Sequence, residues 1–120
     1  MDAATLVDRY LVAWNEADPA LRRAAVGELF AAGGSYTDPL ASVSGHQEIA
    51  DLIGAVQAQV PGHEFRLLDG VDAHHGVARF RWALVPAGGG EPVAIGADVV
   101  ELEDGRIECV IGFLDLAPAA

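Results

Sequence analysis

Apolar residues recur three and four apart through the first half of the chain, and every second residue after about position 63. The first spacing predicts helices and the second strands. Leu6, Tyr10, Ala13, Trp14 and Ala17 share one helical face, so a helix is expected over 3–17 with Asp2 as its N-cap. Asp18-Pro19 then restarts the chain, Asp as cap and Pro at the first helical position, where a missing N–H costs nothing. That second helix should run through Leu21, Ala25 and Leu29 to about Ala32 and end at Gly33-Gly34. Residues 35–38 alternate as a short strand, with Tyr36 and Asp38 on one face and Pro39 as its stop. Beyond 40–43, Ser44-Gly45-His46-Gln47 has the form of a capping box. It announces a third helix, with Ile49, Leu52, Ile53, Val56 and Val60 on its apolar stripe, closed by Pro61-Gly62.

Four long strands are expected after that. Phe65 and Leu67, extending towards Val71, mark the first, and Ala78, Phe80, Trp82 and Leu84 form the inward face of the next. The last two make a hairpin over 93–116, because Asp104-Gly105 is suited to the positive φ angles of a type I′ turn. Regular counting from that turn sets Val100 opposite Cys109, Asp98 opposite Ile111 and Gly96 opposite Phe113. One face then carries Leu102, Val100, Ile107, Cys109, Ile111 and Phe113, with the carboxyl of Asp98 alone among them. A symmetric connection to the preceding strand places Phe80 beside Asp98 and Trp82 beside Gly96, with Arg79 and Arg81 on the other face near Glu101.

Composition narrows the possible functions. At 120 residues the chain is read as one domain, 1–120. Apolar content of 52% with mean hydropathy +0.28 leaves a surplus suited to a lined cavity or a subunit contact. A net charge of −11, with arginine as the only basic residue type apart from histidine, argues against nucleic-acid and anionic-membrane partners. The start MDAATLVDRY has no basic-then-apolar leader pattern and no apolar run is long enough to span a bilayer, so a cytoplasmic location is expected. Cys109 is the only cysteine, which excludes an intrachain disulfide and a thiolate cluster. His74-His75 would point to opposite faces of a strand, so no metal site is expected, and no nucleotide-binding motif implies a cofactor.

The element order, together with RYLVAWNEAD, YTDP, SGHQEIADLI and GADVVELEDGRI, resembles the nuclear transport factor 2-like superfamily, particularly its SnoaL-like polyketide cyclase and ketosteroid isomerase branches. The resemblance implies an α+β fold: a cone-shaped α+β barrel in which three N-terminal helices pack on a curved, mainly antiparallel sheet. In the ketosteroid isomerases a tyrosine of the first helix and a protonated aspartic acid of the penultimate strand form an oxyanion hole, while an aspartate after the first strand moves the proton. Matched by motif, these are Tyr10, Asp98 and Asp38. The SnoaL-like cyclases use related carboxylates differently, and an Asp-Arg-Asp epoxide hydrolase site also occurs in the superfamily. Arg79 and Arg81 have the wrong strand parity for the latter.

The residue types suit proton transfer. A carboxyl among apolar side chains has its ionised form disfavoured, so Asp98 is expected to be a hydrogen-bond donor, and a better hydrated Asp38 to be a base. Trp14, Tyr36, Phe80, Trp82 and Phe113 are expected to line the substrate pocket, with His46 at its mouth. Structural readings stand beside these: Asp98 bonded to Tyr10 or a buried histidine as a satisfied pair, Asp38 as a turn residue before proline, Tyr10 and Trp14 as core.

The expected function is a small cofactor-independent enzyme, isomerase- or cyclase-like, acting on an apolar carbonyl compound. The alternatives are a non-catalytic binder of small hydrophobic molecules and a dimerising interaction domain. Ile95, Val99, Val110 and Leu114 are assigned to the outer sheet face, which predicts a homodimer packed through it.

Overall fold

The computed structural model describes residues 2–116, and Met1 and residues 117–120 of the expected domain lie outside it. The chain runs α1 (Ala3–Asn15), α2 (Pro19–Leu29), β1 (Phe30–Thr37), β2 (Ser42–Ser44), α3 (His46–Gln59), β3 (His63–Leu67), β4 (Asp72–His74), β5 (Val77–Pro86), β6 (Ala94–Glu103) and β7 (Arg106–Leu116). The sheet order is β2-β1-β7-β6-β5-β3, with β4 paired to β5. Every pairing is antiparallel except that of β1 with β7. Three helices on a curved, mostly antiparallel sheet make the expected α+β cone.

Local chemistry places the helix starts. Asp2 Oδ1 accepts from Thr5 N at 2.8 Å, and Asp18 Oδ1 accepts from Ala20 N and Leu21 N at 2.8 and 3.1 Å. The capping box at Ser44 does not form. Gly45, with φ +85°, is the N-cap of α3, and the Glu48 carboxylate receives Ser44 N at 3.2 Å instead. Nor do Gly33-Gly34 end α2. The helix stops at Leu29 and the glycines lie within β1, where a methyl on Gly34 would sit 3.0 Å from the carbonyl oxygens of Ala31 and Ile107. Pairing of β1 with β7, remote in sequence, has overridden the local stop signal.

The core between helices and sheet holds Val7, Tyr10, Val26, Phe30, Ile49, Ile53, Val100, Ile107 and Val110, each at most 2% exposed. Asn15 ties the end of α1 to the edge strand. Its side chain donates to Phe65 O at 2.9 Å and accepts from Phe65 N at 2.7 Å, so this part of the β3 edge is satisfied without another strand. No helix among the described residues is long and apolar enough to cross a membrane.

The β5–β6 register is as expected: Phe80 pairs with Asp98 and Trp82 with Gly96. The β6–β7 register is not. Leu102 pairs with Ile107 but Glu101 pairs with Cys109, so Glu108 is an extra residue on β7. A single-residue bulge exchanges the faces of everything beyond it. Val110, Gly112 and Leu114 therefore point into the cone, whereas Cys109, Ile111 and Phe113 point outward. Asp98 now faces Gly112, and Phe113 faces Ala97. The arginines also find other partners than Glu101: Arg79 pairs with Asp72 at 3.2 Å, and Arg81 with Asp69 at 3.0 Å.

Candidate active site

Three elements bring the polar groups together. Tyr10 lies on the inward face of α1, one turn before Trp14, and Asp98 is the inward carboxyl of β6. Asp38 follows the end of β1, one position past the Thr37–Ile111 pair, which sets it beside Gly112. Gly112 is what lets them approach. A methyl there would sit 2.9 Å from Asp98 Oδ1, 3.3 Å from Asp38 Cβ and 3.6 Å from Tyr36 Oη.

Asp98 is 3% exposed and receives two donors. Tyr10 Oη donates to Oδ2 and Trp82 Nε1 to Oδ1, both at 3.2 Å. Burial pushes the Asp98 carboxyl up to about 6, outweighing the two hydrogen bonds that favour its anion, and the neighbouring Asp38 adds to the rise. Asp38 is held differently. Its Oδ1 accepts from Leu40 N at 2.8 Å and Ala41 N at 2.9 Å, and Tyr36 Oη donates to Oδ2 at 2.7 Å. Three of its four lone pairs are occupied, leaving one on Oδ2. Burial, then the charge of Asp98, holds both phenols far above the ordinary tyrosine range, so Tyr10 and Tyr36 remain donors.

These groups open on one cavity of about 140 Å³. Its polar lining includes Tyr10, Tyr36, Asp38, Trp82 and Asp98, and its apolar lining includes Leu11, Trp14, Val56, Phe65 and Leu84. Leu40, Gln59, Val60, Ala94 and Leu114 complete the lining. Trp14 packs edge-on to Phe65 at 5.2 Å between ring centroids, and Phe65 to Trp82 at 5.4 Å, forming an aromatic wall. The volume is below the roughly 300–1,000 Å³ of sites for drug-sized ligands, which suits a small molecule.

Tyr10, Trp14, Tyr36, Asp38, Trp82 and Asp98 line a single space. Three other expected residues do not line it. Phe80 is 3% exposed and packs edge-on against Tyr10 at 5.8 Å, supporting the phenol from behind. Phe113 is carried to the outer face by the Glu108 bulge and is 56% exposed. His46 Nε2 donates to Phe30 O at 2.8 Å and Ala31 O at 3.1 Å, tying the start of α3 to β1. Gly112 and Leu114 belong to the site and were hidden by the parity change, although a glycine inside a strand is itself a sign of close approach. Among the described residues no three His, Cys, Asp or Glu side chains are grouped as a metal site.

A family model described as a SnoaL-like domain matches residues 7–110. Among solved structures, the chain is similar to one from Agrobacterium tumefaciens str. C58, described as a candidate isomerase of the SnoaL-like family. The two share 44% identity over 92% of this chain and 95% of that one, with TM-score 0.87. A candidate ketosteroid isomerase from Kribbella flavida DSM 17836 is 18% identical over 98% and 80% of the two chains, TM-score 0.71. A candidate polyketide cyclase from Sinorhizobium meliloti is 20% identical over 90% and 93%, TM-score 0.70. At those two identities the likeness is one of fold. No curated protein matches the chain.

Proposed function

Because this chain belongs to the SnoaL-like domain family, we propose that it is a small cofactor-independent enzyme of isomerase or cyclase type, moving a proton on an apolar carbonyl compound in the cone. The observation that supports this reading is the juxtaposition across Gly112 of two carboxyls in unlike settings. Asp98 is buried and raised to about 6, whereas Asp38 sits in a turn with a free lone pair. In this reading Asp38 takes the proton α to the carbonyl. The electron pair passes to the carbonyl oxygen, where Tyr10 Oη, turning its one proton away from Asp98 Oδ2, and protonated Asp98 each donate a hydrogen bond to the developing oxyanion. Return of the proton to another carbon is isomerisation; attack of the enolate on a second carbonyl closes a ring.

A second assignment of roles is favoured by the two donors on Asp98, which support its anion. There Asp98 is the base and Tyr10 its orienting partner. The sign of the pH dependence separates the two. If Asp98 is the donor, activity falls as pH rises through about 6; if it is the base, activity rises through about 6. A non-catalytic binder would use the same cavity without turnover. A purely dimerising role is less suited, because the cone encloses an open cavity instead of being filled by side chains.

The test is exchange of the α-protons of small apolar ketones with D2O, followed by proton NMR. The protein is expected to catalyse saturable exchange. Asp38→Asn keeps a carbonyl oxygen for the Leu40 and Ala41 amides and is expected to retain the melting temperature while losing a factor of roughly 10²–10⁴ in rate. Binding without exchange above the buffer rate would support the binder.

A further inference from the structure

Leu40 stands on the rim of the cavity, yet its side chain is 83% exposed. A lone exposed leucine is ordinary. One on a fixed turn at an apolar mouth is placed to be covered by whatever enters. The turn is fixed from below by Asp38, whose Oδ1 takes the amides of Leu40 and Ala41 and whose N–H donates to Ala41 O at 2.9 Å. The side chain projects from that base into solvent. Of the other lining residues, Gln59 is exposed and Val60 and Leu114 are half-buried.

Charge is distributed equally unevenly. Both charged side chains of the lining, Asp38 and Asp98, are carboxyls, and among the described residues no arginine or histidine lines the space. An anionic ligand would bring a further negative charge into a low-dielectric recess without a counter-charge.

We propose that the ligand is an uncharged carbonyl compound with an apolar extension. Its oxygen is directed to Tyr10 and Asp98, and its alkyl or aryl end lies at the rim, where Leu40 folds over it. This rests on the reading of the cavity as a carbonyl site and adds the orientation, the charge limit and a specificity-determining residue. Leu40 sets the reward for chain length.

The test is binding of straight-chain methyl ketones from butanone to undecanone, and of carboxylates of matching length, read by quenching of Trp14 and Trp82 fluorescence. In the native protein affinity is expected to rise about fourfold per methylene until the cavity is filled. Leu40→Ala should melt as the native protein does, bind the short ketones equally well, and lose about tenfold for those long enough to reach the rim. Carboxylates should bind at least about tenfold more weakly than ketones of equal length. The same length dependence in both proteins would overturn the role of Leu40 alone, and carboxylates binding as well as ketones would overturn the charge limit. Failure of every ketone to bind would instead overturn the carbonyl-site reading and this inference with it.

Discussion

Trp82 reaches Asp98 diagonally across two strands: Nε1 lies 3.2 Å from Oδ1, although the direct partner of Asp98 is Phe80 and that of Trp82 is Gly96. Gly96 makes the diagonal possible, since a methyl there would sit 2.2 Å from the indole ring. With Tyr10 on the other oxygen, the carboxyl has a donor on each side. Burial still dominates, so the acid holds its proton more tightly than a solvated carboxyl does.

That balance predicts how stability varies with pH. The proton affinity of Asp98 is raised on folding, from 3.8 to about 6, so the folded state binds more protons than the unfolded state between those values. The contribution is fully present below about pH 4 and is lost as pH rises through about 6, amounting to about 3 kcal/mol at 1.36 kcal/mol per unit. Asp98→Asn keeps an acceptor for Trp82 and a donor facing Tyr10, and lacks the titration. Its stability relative to the native protein should rise by about that amount across this window and stay level above it, in urea unfolding at successive pH values.

Gly112 predicts a steric effect on the site. Gly112→Ala places a methyl 2.9 Å from Asp98 Oδ1 and 3.3 Å from Asp38 Cβ, so the carboxyls must separate. A cost of about 1–3 kcal/mol is expected, with loss of ketone exchange. Gly33→Ala, in β1 where nothing lies within 4 Å, is the control and should be neutral.

The outer sheet face predicts association. We propose that Ile95, Ala97 and Val99 of β6, with Ile111 (37% exposed) and Phe113 (56% exposed) of β7, form the contact of a homodimer. Sedimentation should give a dimer at micromolar concentration for the native protein and a monomer for Phe113→Glu. A native monomer would remove this contact from the account.

What could be read from the chain alone follows the range of each interaction. Asp104-Gly105 and Asp18-Pro19 act within a few residues, and the turn and the helix start lie where they were expected. Both turn residues have positive φ, +53° and +77°. Phe80 and Asp98 were correctly paired because their connection is nearly symmetric about its glycines. The Glu108 bulge carries no glycine, so nothing local announces it. That one residue misplaced Phe113 and concealed Gly112 and Leu114. His46 was read from its place at the start of a helix, whereas its position is decided by the carbonyls of Phe30 and Ala31, which only the end of α2 at Leu29 brings into reach. Asp98 could be singled out because a carboxyl on an apolar strand face is an anomaly of pattern, whereas Tyr10 and Asp38 were reached through the resemblance of RYLVAWN and YTDP to the ketosteroid isomerases.

The central claim is that a buried acid shares one recess with a phenol and a second acid, and carbon-13 NMR titration of the aspartate side-chain carboxyls tests it most directly. One resonance, absent from Asp98→Asn, should titrate near 6. It should move to higher pH in Trp82→Phe, where a hydrogen bond favouring the anion is lost. An Asp98 resonance titrating at or below the ordinary value of 3.8 would contradict the account.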